Sequence, residues 1–135
     1  MFWTWLYFFI SFTAAFRQQS FGIRGKLICG HSSAEGITVK LYNDKAIGFN
    51  NQLAETRTDG DGNYELTAAT DSIFSMEPYL KIYTNCNRGF NPCKREIKLE
   101  IPSDYVTRTS TIQQWFDGGI INLQFKFDDE ERKCF

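Results

Sequence analysis

The sequence is poor in the residues that carry out chemistry. It has one histidine, His31, no C-x-x-C pair among its four cysteines, and no glycine-rich turn leading into a helix. His31 stands beside Gly30 and Ser32, with no nucleophile or orienting carboxylate that can be matched to it. Serine-histidine and cysteine-histidine catalysis therefore have no constellation, and His31 reads as a solvated loop residue. A zinc site lacks ligand spacing, and a nucleotide cofactor lacks a phosphate cradle. Positive charge is not in surplus: 15 lysines and arginines face 16 aspartates and glutamates, for a net charge of −1. That balance argues against a nucleic-acid partner, because phosphate recognition draws on an excess of cations. No Asn-x-Ser/Thr sequon occurs. The expectation is a non-enzymatic protein without metal or cofactor.

Long apolar runs are also scarce. The chain from Met1 to Phe16 carries no charged side chain, and Phe2 to Ile10 is almost wholly apolar. That run is too short to span a hydrocarbon layer of about 30 Å. It is followed by Thr13-Ala14-Ala15, the small residues a signal peptidase needs. Residues 1–15 are expected to be a signal peptide and residues 16–135 a single secreted domain. No second apolar stretch of about 18 residues follows.

Cys29, Cys86, Cys93 and Cys134 fit that compartment, being an even number in a small secreted chain. Three pairings are open. Cys86 and Cys93 flank Asn87-Arg88-Gly89-Phe90-Asn91-Pro92, a turn whose ends can meet, which would leave Cys29 to pin Cys134 to the first strand.

Short segments alternate with period two between Gly, Asn, Asp and Pro, which indicates an all-β domain. Ile97, Leu99 and Ile101 alternate with Glu96, Lys98 and Glu100, and Pro102 ends the segment. Ile121, Leu123, Phe125 and Phe127 alternate in the same way. Further strands are predicted over 23–29, 37–42, 53–58, 64–68 and 79–86, with an eighth over 109–116. The least regular connection is 69–78, where Ile73, Phe74 and Met76 suggest a short helical turn. Seven or eight strands at this spacing make a sandwich of two antiparallel sheets. Asp59-Gly60-Asp61-Gly62-Asn63 begins like a calcium loop, but Tyr64 and Thr70 stand where Gly and Glu are required. It reads as a tight hairpin turn, with Gly62 at positive φ and Asp59 bonding nearby amides.

Several stretches occur in an order similar to that of the nematode transthyretin-like family. They are Gly25-Lys26-Leu27-Ile28-Cys29, Val39-Lys40-Leu41-Tyr42, the hairpin from Leu53 to Leu66, Leu80 to Cys86 with Pro92-Cys93, Ile101 to Val106, and Gly119 to Leu123. The chain resembles that family from about Gly22 to Cys134. The resemblance implies the transthyretin β-sandwich and a four-cysteine pattern on Cys29, Cys86, Cys93 and Cys134. A purine-pathway hydrolase shares the fold, but it needs several histidines and a Tyr-Arg-Gly-Ser ending, whereas this chain ends Arg132-Lys133-Cys134-Phe135. The resemblance instead implies a secreted bridging molecule, which recognises phosphatidylserine on dying cells and presents them to an engulfment receptor on phagocytes. Other classes are an extracellular carrier of a small hydrophobic ligand and a secreted signalling factor acting through a receptor. Oligomeric state is not legible.

Two features suit binding. Between Tyr79 and Arg108 the cations Lys81, Arg88, Lys94, Arg95, Lys98 and Arg108 outnumber Glu96, Glu100 and Asp104. Arg88 on the turn, with Lys94 and Arg95 just beyond it, is the expected site for an acidic lipid headgroup. Lys45, Ile47 and Phe49, in the connection from Lys45 to Asn50, are expected to contact a membrane or a partner. The acidic run Asp128-Asp129-Glu130-Glu131 reads as a solvated tail.

Overall fold

Alternating apolar residues pair into strands whose two faces separate core from solvent, as a period of two requires. The computed structural model describes residues 17–44, 51–72, 75–109 and 111–134. Among these residues nine strands run in chain order: β1 Arg17–Cys29, β2 Ser32–Ser33, β3 Thr38–Asn43, β4 Gln52–Arg57, β5 Asn63–Ser72, β6 Pro78–Thr84, β7 Lys94–Glu100, β8 Trp115–Asn122 and β9 Glu130–Lys133. They form two sheets. In one, β2, β5 and β8 pair with β1; the other has the order β4-β3-β6-β7-β9. This is the expected all-β sandwich. Its pairings are antiparallel except for β8, which lies parallel to β1.

The core lies between the sheets. β1 contributes Phe21, Ile23 and Leu27, β3 contributes Val39 and Leu41, and β5 contributes Tyr64 and Leu66. They pack with Leu80 and Ile82 of β6, Ile97 of β7, and Leu123. Gly62 takes φ +83°, and a Cβ there would meet the Leu27 carbonyl at 2.3 Å. Asp59 Oδ1 accepts from the amides of Asp61 at 3.0 Å and Asn63 at 2.9 Å. The hairpin turn is thus held as the residues implied.

The strand expected from Ile121 to Phe127 stops early. β8 ends at Asn122, whose Oδ1 accepts from the amides of Gly30 (3.0 Å) and Gln124 (3.1 Å) and turns the chain away from the ladder. Leu123 then plugs the core, while Phe125 stays exposed. Among the described residues of the segment 109–116, only Trp115 and Phe116 belong to a strand. β5 reaches Ser72, further than expected, because β1 extends back to Arg17 and pairs with it there. Met76 is fully buried, while Ile73 and Phe74 lie outside the described residues.

All four cysteines are in disulfides, but the favoured pairing is corrected. The bonds are Cys29–Cys86 and Cys93–Cys134. Cys29 ends β1 and Cys86 follows β6, so the first bond ties one sheet to the other across a Cα separation of 5.9 Å. Cys93 precedes β7 and Cys134 follows β9. Because Lys94 and Lys133 are register partners in the antiparallel β7–β9 pair, the next residues outward are Cys93 and Cys134. At the start of the turn between Cys86 and Cys93 the Arg88 amide donates to the Asn85 carbonyl at 3.1 Å.

A candidate anion-binding cleft on the five-stranded sheet

Alternation sends Lys40 and Tyr42 of β3, Lys81 and Tyr83 of β6, and Lys94, Glu96 and Lys98 of β7 to the outer face of the second sheet. Lys40, Lys81 and Lys98 fall in one row across adjacent strands. Like charges so aligned repel, and the face offsets this with aromatic rings and carboxylates. The lysine nitrogens of Lys40, Lys81 and Lys98 lie 5.2, 5.3 and 4.6 Å from the ring centroids of Tyr83, Tyr42 and Tyr79. Tyr42 and Tyr79 stack with centroids 5.2 Å apart. Lys40 Nζ also approaches Glu55 at 3.5 Å, and Lys81 Nζ approaches Glu96 at 3.3 Å.

Glu96 is the hub of this face. Burial acts to raise its carboxyl pKa, but hydrogen bonds from the Tyr83 hydroxyl (2.8 Å) and from Lys81, with the charges of Lys81 and Lys133, hold it below the usual carboxylate range. Burial and the bond to Glu96 push the Tyr83 hydroxyl up, so it stays a donor. For Lys81, burial works against the charged form and Glu96 outweighs it, raising its pKa.

Toward the Thr84 end of this face the β6–β7 turn opens a cleft of about 330 Å³. Its cations are Lys40 of β3, Arg88 of the turn, Lys94 of β7 and Lys133 of β9; among the described residues no carboxylate lines it. Thr38, Tyr83 and Asn85 add polar atoms. Four cations converging from four chain segments, with Lys94 and Lys133 in direct register, suit an anion with several oxygens. A larger cleft of about 650 Å³ lies between the first sheet and the end of β4, where Arg24, Lys26 and Arg57 are balanced by Asp59, Glu65 and Asp117. Tyr64 lines it, its hydroxyl pKa pushed up to about 12 by burial and then by Asp117.

Two expected headgroup residues, Arg88 and Lys94, line the basic cleft together. Arg95 does not, which is a correction. It is 1% exposed, because residues of β7 alternate and Arg95 shares the inward face with Ile97. Its guanidinium is spent inside: Nε donates to Glu130 at 2.6 Å, Nη1 to the Cys86 carbonyl at 2.7 Å and to the Leu123 carbonyl, and Nη2 to the Phe125 carbonyl at 2.7 Å. Of the acidic run only Glu130 is corrected with it, since it begins β9 and pairs with Arg95, while Asp128, Asp129 and Glu131 are exposed as expected. Lys45, Ile47 and Phe49 lie outside the described residues. His31 is exposed on the turn between β1 and β2, as its loop reading implied.

Sequence reasoning missed Lys40 and Lys133. Lys40 sits at outward parity on β3, but that β3 would neighbour β6 was not readable. Lys133 precedes Cys134, so knowing the Cys93–Cys134 bond would have set it beside Lys94.

A family model described as TTR-52, transthyretin-like family, matches residues 24–102. The chain belongs to the transthyretin-like family. Transthyretin-like protein 5 of Caenorhabditis elegans is 38% identical over 117 residues, covering 86% of this chain and 84% of that protein. Transthyretin-like proteins 33 and 2 of the same organism are 36% and 33% identical, covering 86% and 87% of this chain and 82% and 84% of their own lengths. The transthyretin-like assignment thus spans the first strand to the residues after β7 by the family model, and most of the chain by the relatives. Among the described residues no helix is long and apolar enough to cross a membrane.

Proposed function

We propose that this protein is a secreted, non-enzymatic binding protein whose basic cleft takes the headgroup of phosphatidylserine. In this reading it bridges phosphatidylserine exposed on dying cells to an engulfment receptor on phagocytes, the role implied by the family resemblance. The observation that carries the headgroup part is the convergence of Lys40, Arg88, Lys94 and Lys133 in a cleft lined by no carboxylate among the described residues. A phosphodiester and a carboxylate are both anionic, and several converging donors, one of them the planar fork of Arg88, discriminate their arrangement better than one lysine does. Two disulfides support an oxidising compartment. A bridge gains from engaging two surfaces at once, so modest headgroup affinity is enough. The hydrophobic-carrier class draws no support from the two larger clefts described, both of which are lined by charged side chains.

The test is co-sedimentation of oxidised protein, residues 16–135, with vesicles of phosphatidylcholine alone or mixed with phosphatidylserine or phosphatidylglycerol, at low and high salt. Retention on phosphatidylserine above the charge-matched phosphatidylglycerol, lost in Arg88→Glu/Lys94→Glu, is the expected result. Equal retention on both lipids, abolished by salt, would reduce the cleft to a charge patch. No retention would sink the lipid role.

A further inference from the structure

The most exposed large apolar side chain among the described residues, Phe90, stands beside this cleft. Its relative exposure is 108%, against 69% for Ile120 and 66% for Phe125. A lone exposed apolar residue needs no explanation in general; the setting of Phe90 is what sets it apart. It tips the turn between β6 and β7, two residues after Arg88 and four before Lys94, both of which line the basic cleft.

The turn is held rigid from both ends while its tip is left in solvent. Cys86 is tied to Cys29, and Cys93 to Cys134. Arg95 holds the Cys86 carbonyl at 2.7 Å, and Arg132 Nη1 donates to the carbonyls of Arg88 (3.1 Å) and Cys93 (3.4 Å). Asn87 Nδ2 reaches the Gln124 carbonyl at 2.9 Å. Asn87 and Gly89 take positive φ, 53° and 72°, which turns the backbone sharply before Phe90. So much bracing is not needed for Phe90 to pack, since it packs on nothing.

We infer that the Asn85–Cys93 turn is a membrane-docking element, in which Phe90 enters the interfacial layer of an anionic bilayer while the adjacent cleft holds headgroups. The inference rests on the headgroup reading of the cleft and adds to it the apolar contact and the orientation. Charge complementarity selects the bilayer as occupant: an aromatic ring flanked by Arg88 and Lys94 matches an interface that is apolar below and negative above. A braced turn loses little freedom on docking, so the apolar gain is not cancelled by ordering.

The experiment separates anchor from headgroup. Binding of oxidised protein to vesicles containing phosphatidylserine is measured alongside binding of soluble glycerophosphoserine, for wild type, Phe90→Ala, Ile120→Ala and Arg88→Glu/Lys94→Glu. Phe90→Ala is expected to weaken vesicle binding about tenfold, the scale of partly burying one aromatic ring. It should leave glycerophosphoserine binding unchanged, and Ile120→Ala, on the other cleft, should leave both unchanged. In Phe90→Trp, the emission in excess of wild type, which already carries Trp115, should shift to the blue on vesicles and be quenched by brominated lipid. Wild-type vesicle affinity in Phe90→Ala, or no spectral change in Phe90→Trp, overturns the inference while leaving the cleft reading intact. Full glycerophosphoserine and vesicle binding in Arg88→Glu/Lys94→Glu would sink the cleft reading, and a concurrent loss in Phe90→Ala would still assign the membrane contact to Phe90.

Discussion

Replacing Arg95 tests the interior of this fold most sharply. Its side chain is almost fully buried, and its ion-pair partner Glu130 has a side chain only 11% exposed. Arg95→Leu keeps much of the volume but removes every donor. Glu130 is left as a nearly buried carboxylate without its counter-ion, and the carbonyls of Cys86, Leu123 and Phe125 lose their guanidinium partner. Breaking a buried pair from one side typically costs about 3–5 kcal/mol, a large part of the roughly 5–15 kcal/mol by which a domain is stable. The double variant Arg95→Leu/Glu130→Leu should recover at least half of the loss, because no charge is then stranded. The assay is urea unfolding of residues 16–135, followed by the fluorescence of Trp115. A cost below about 1 kcal/mol for Arg95→Leu, the value of an exposed ion pair, would refute the buried network. So would a double variant no better than the single one.

Other perturbations bear on separate parts of the molecule. Removing Cys29–Cys86 by paired alanines should cost about 4 kcal/mol, from the chain entropy of a loop with a sequence separation of 57. Peptide mapping without reduction should recover Cys29 with Cys86 and Cys93 with Cys134, and recovery of a Cys86–Cys93 peptide would contradict these two bonds. The folded-state pKa of Glu96 lies below its ordinary 4.5, so its contribution is fully present above that pH and is lost as pH falls through the folded value. Lys81 is raised above 10.5, so its contribution holds below that pH and disappears as pH rises through the folded value. The urea midpoint should therefore drop in acid below about pH 4.5 in the wild type and less steeply in Glu96→Gln; parallel acid limbs would remove Glu96 from the account.

The period-two pattern was enough to read the sandwich, because burial alternates along β3 and apolar residues recur at every second position in β6 (Leu80, Ile82) and β7 (Ile97, Leu99). Register between strands was not, since it depends on neighbours distant in sequence. That is why Cys86 and Cys93, close along the chain, looked like partners although each belongs to a different contact. One site error was avoidable. The alternation of Ile97, Leu99 and Ile101, carried two residues back, puts Arg95 inward and Lys94 outward, and composition alone hid this by counting both as surface cations. The end of β8 was less readable, because Leu123 and Phe125 continue the alternation and only the Asn122 side chain, bonded to Gly30 across the sheet, breaks it.

Lys94 and Arg95 divide the work of one dipeptide between two environments. A lysine facing water keeps its hydrated charge for a ligand, while an arginine facing inward can satisfy several carbonyls at once through its planar fork. The inward fork holds Cys86 of the turn and the segment after β8; the outward lysine lines the cleft that the turn helps to wall. The cleft thus inherits its rigidity from the core through β7. Binding and stability should accordingly separate by parity along this strand: outward changes at Lys94 alter ligand affinity without unfolding the domain, whereas inward changes at Arg95 lower stability first and affinity only as the turn loosens.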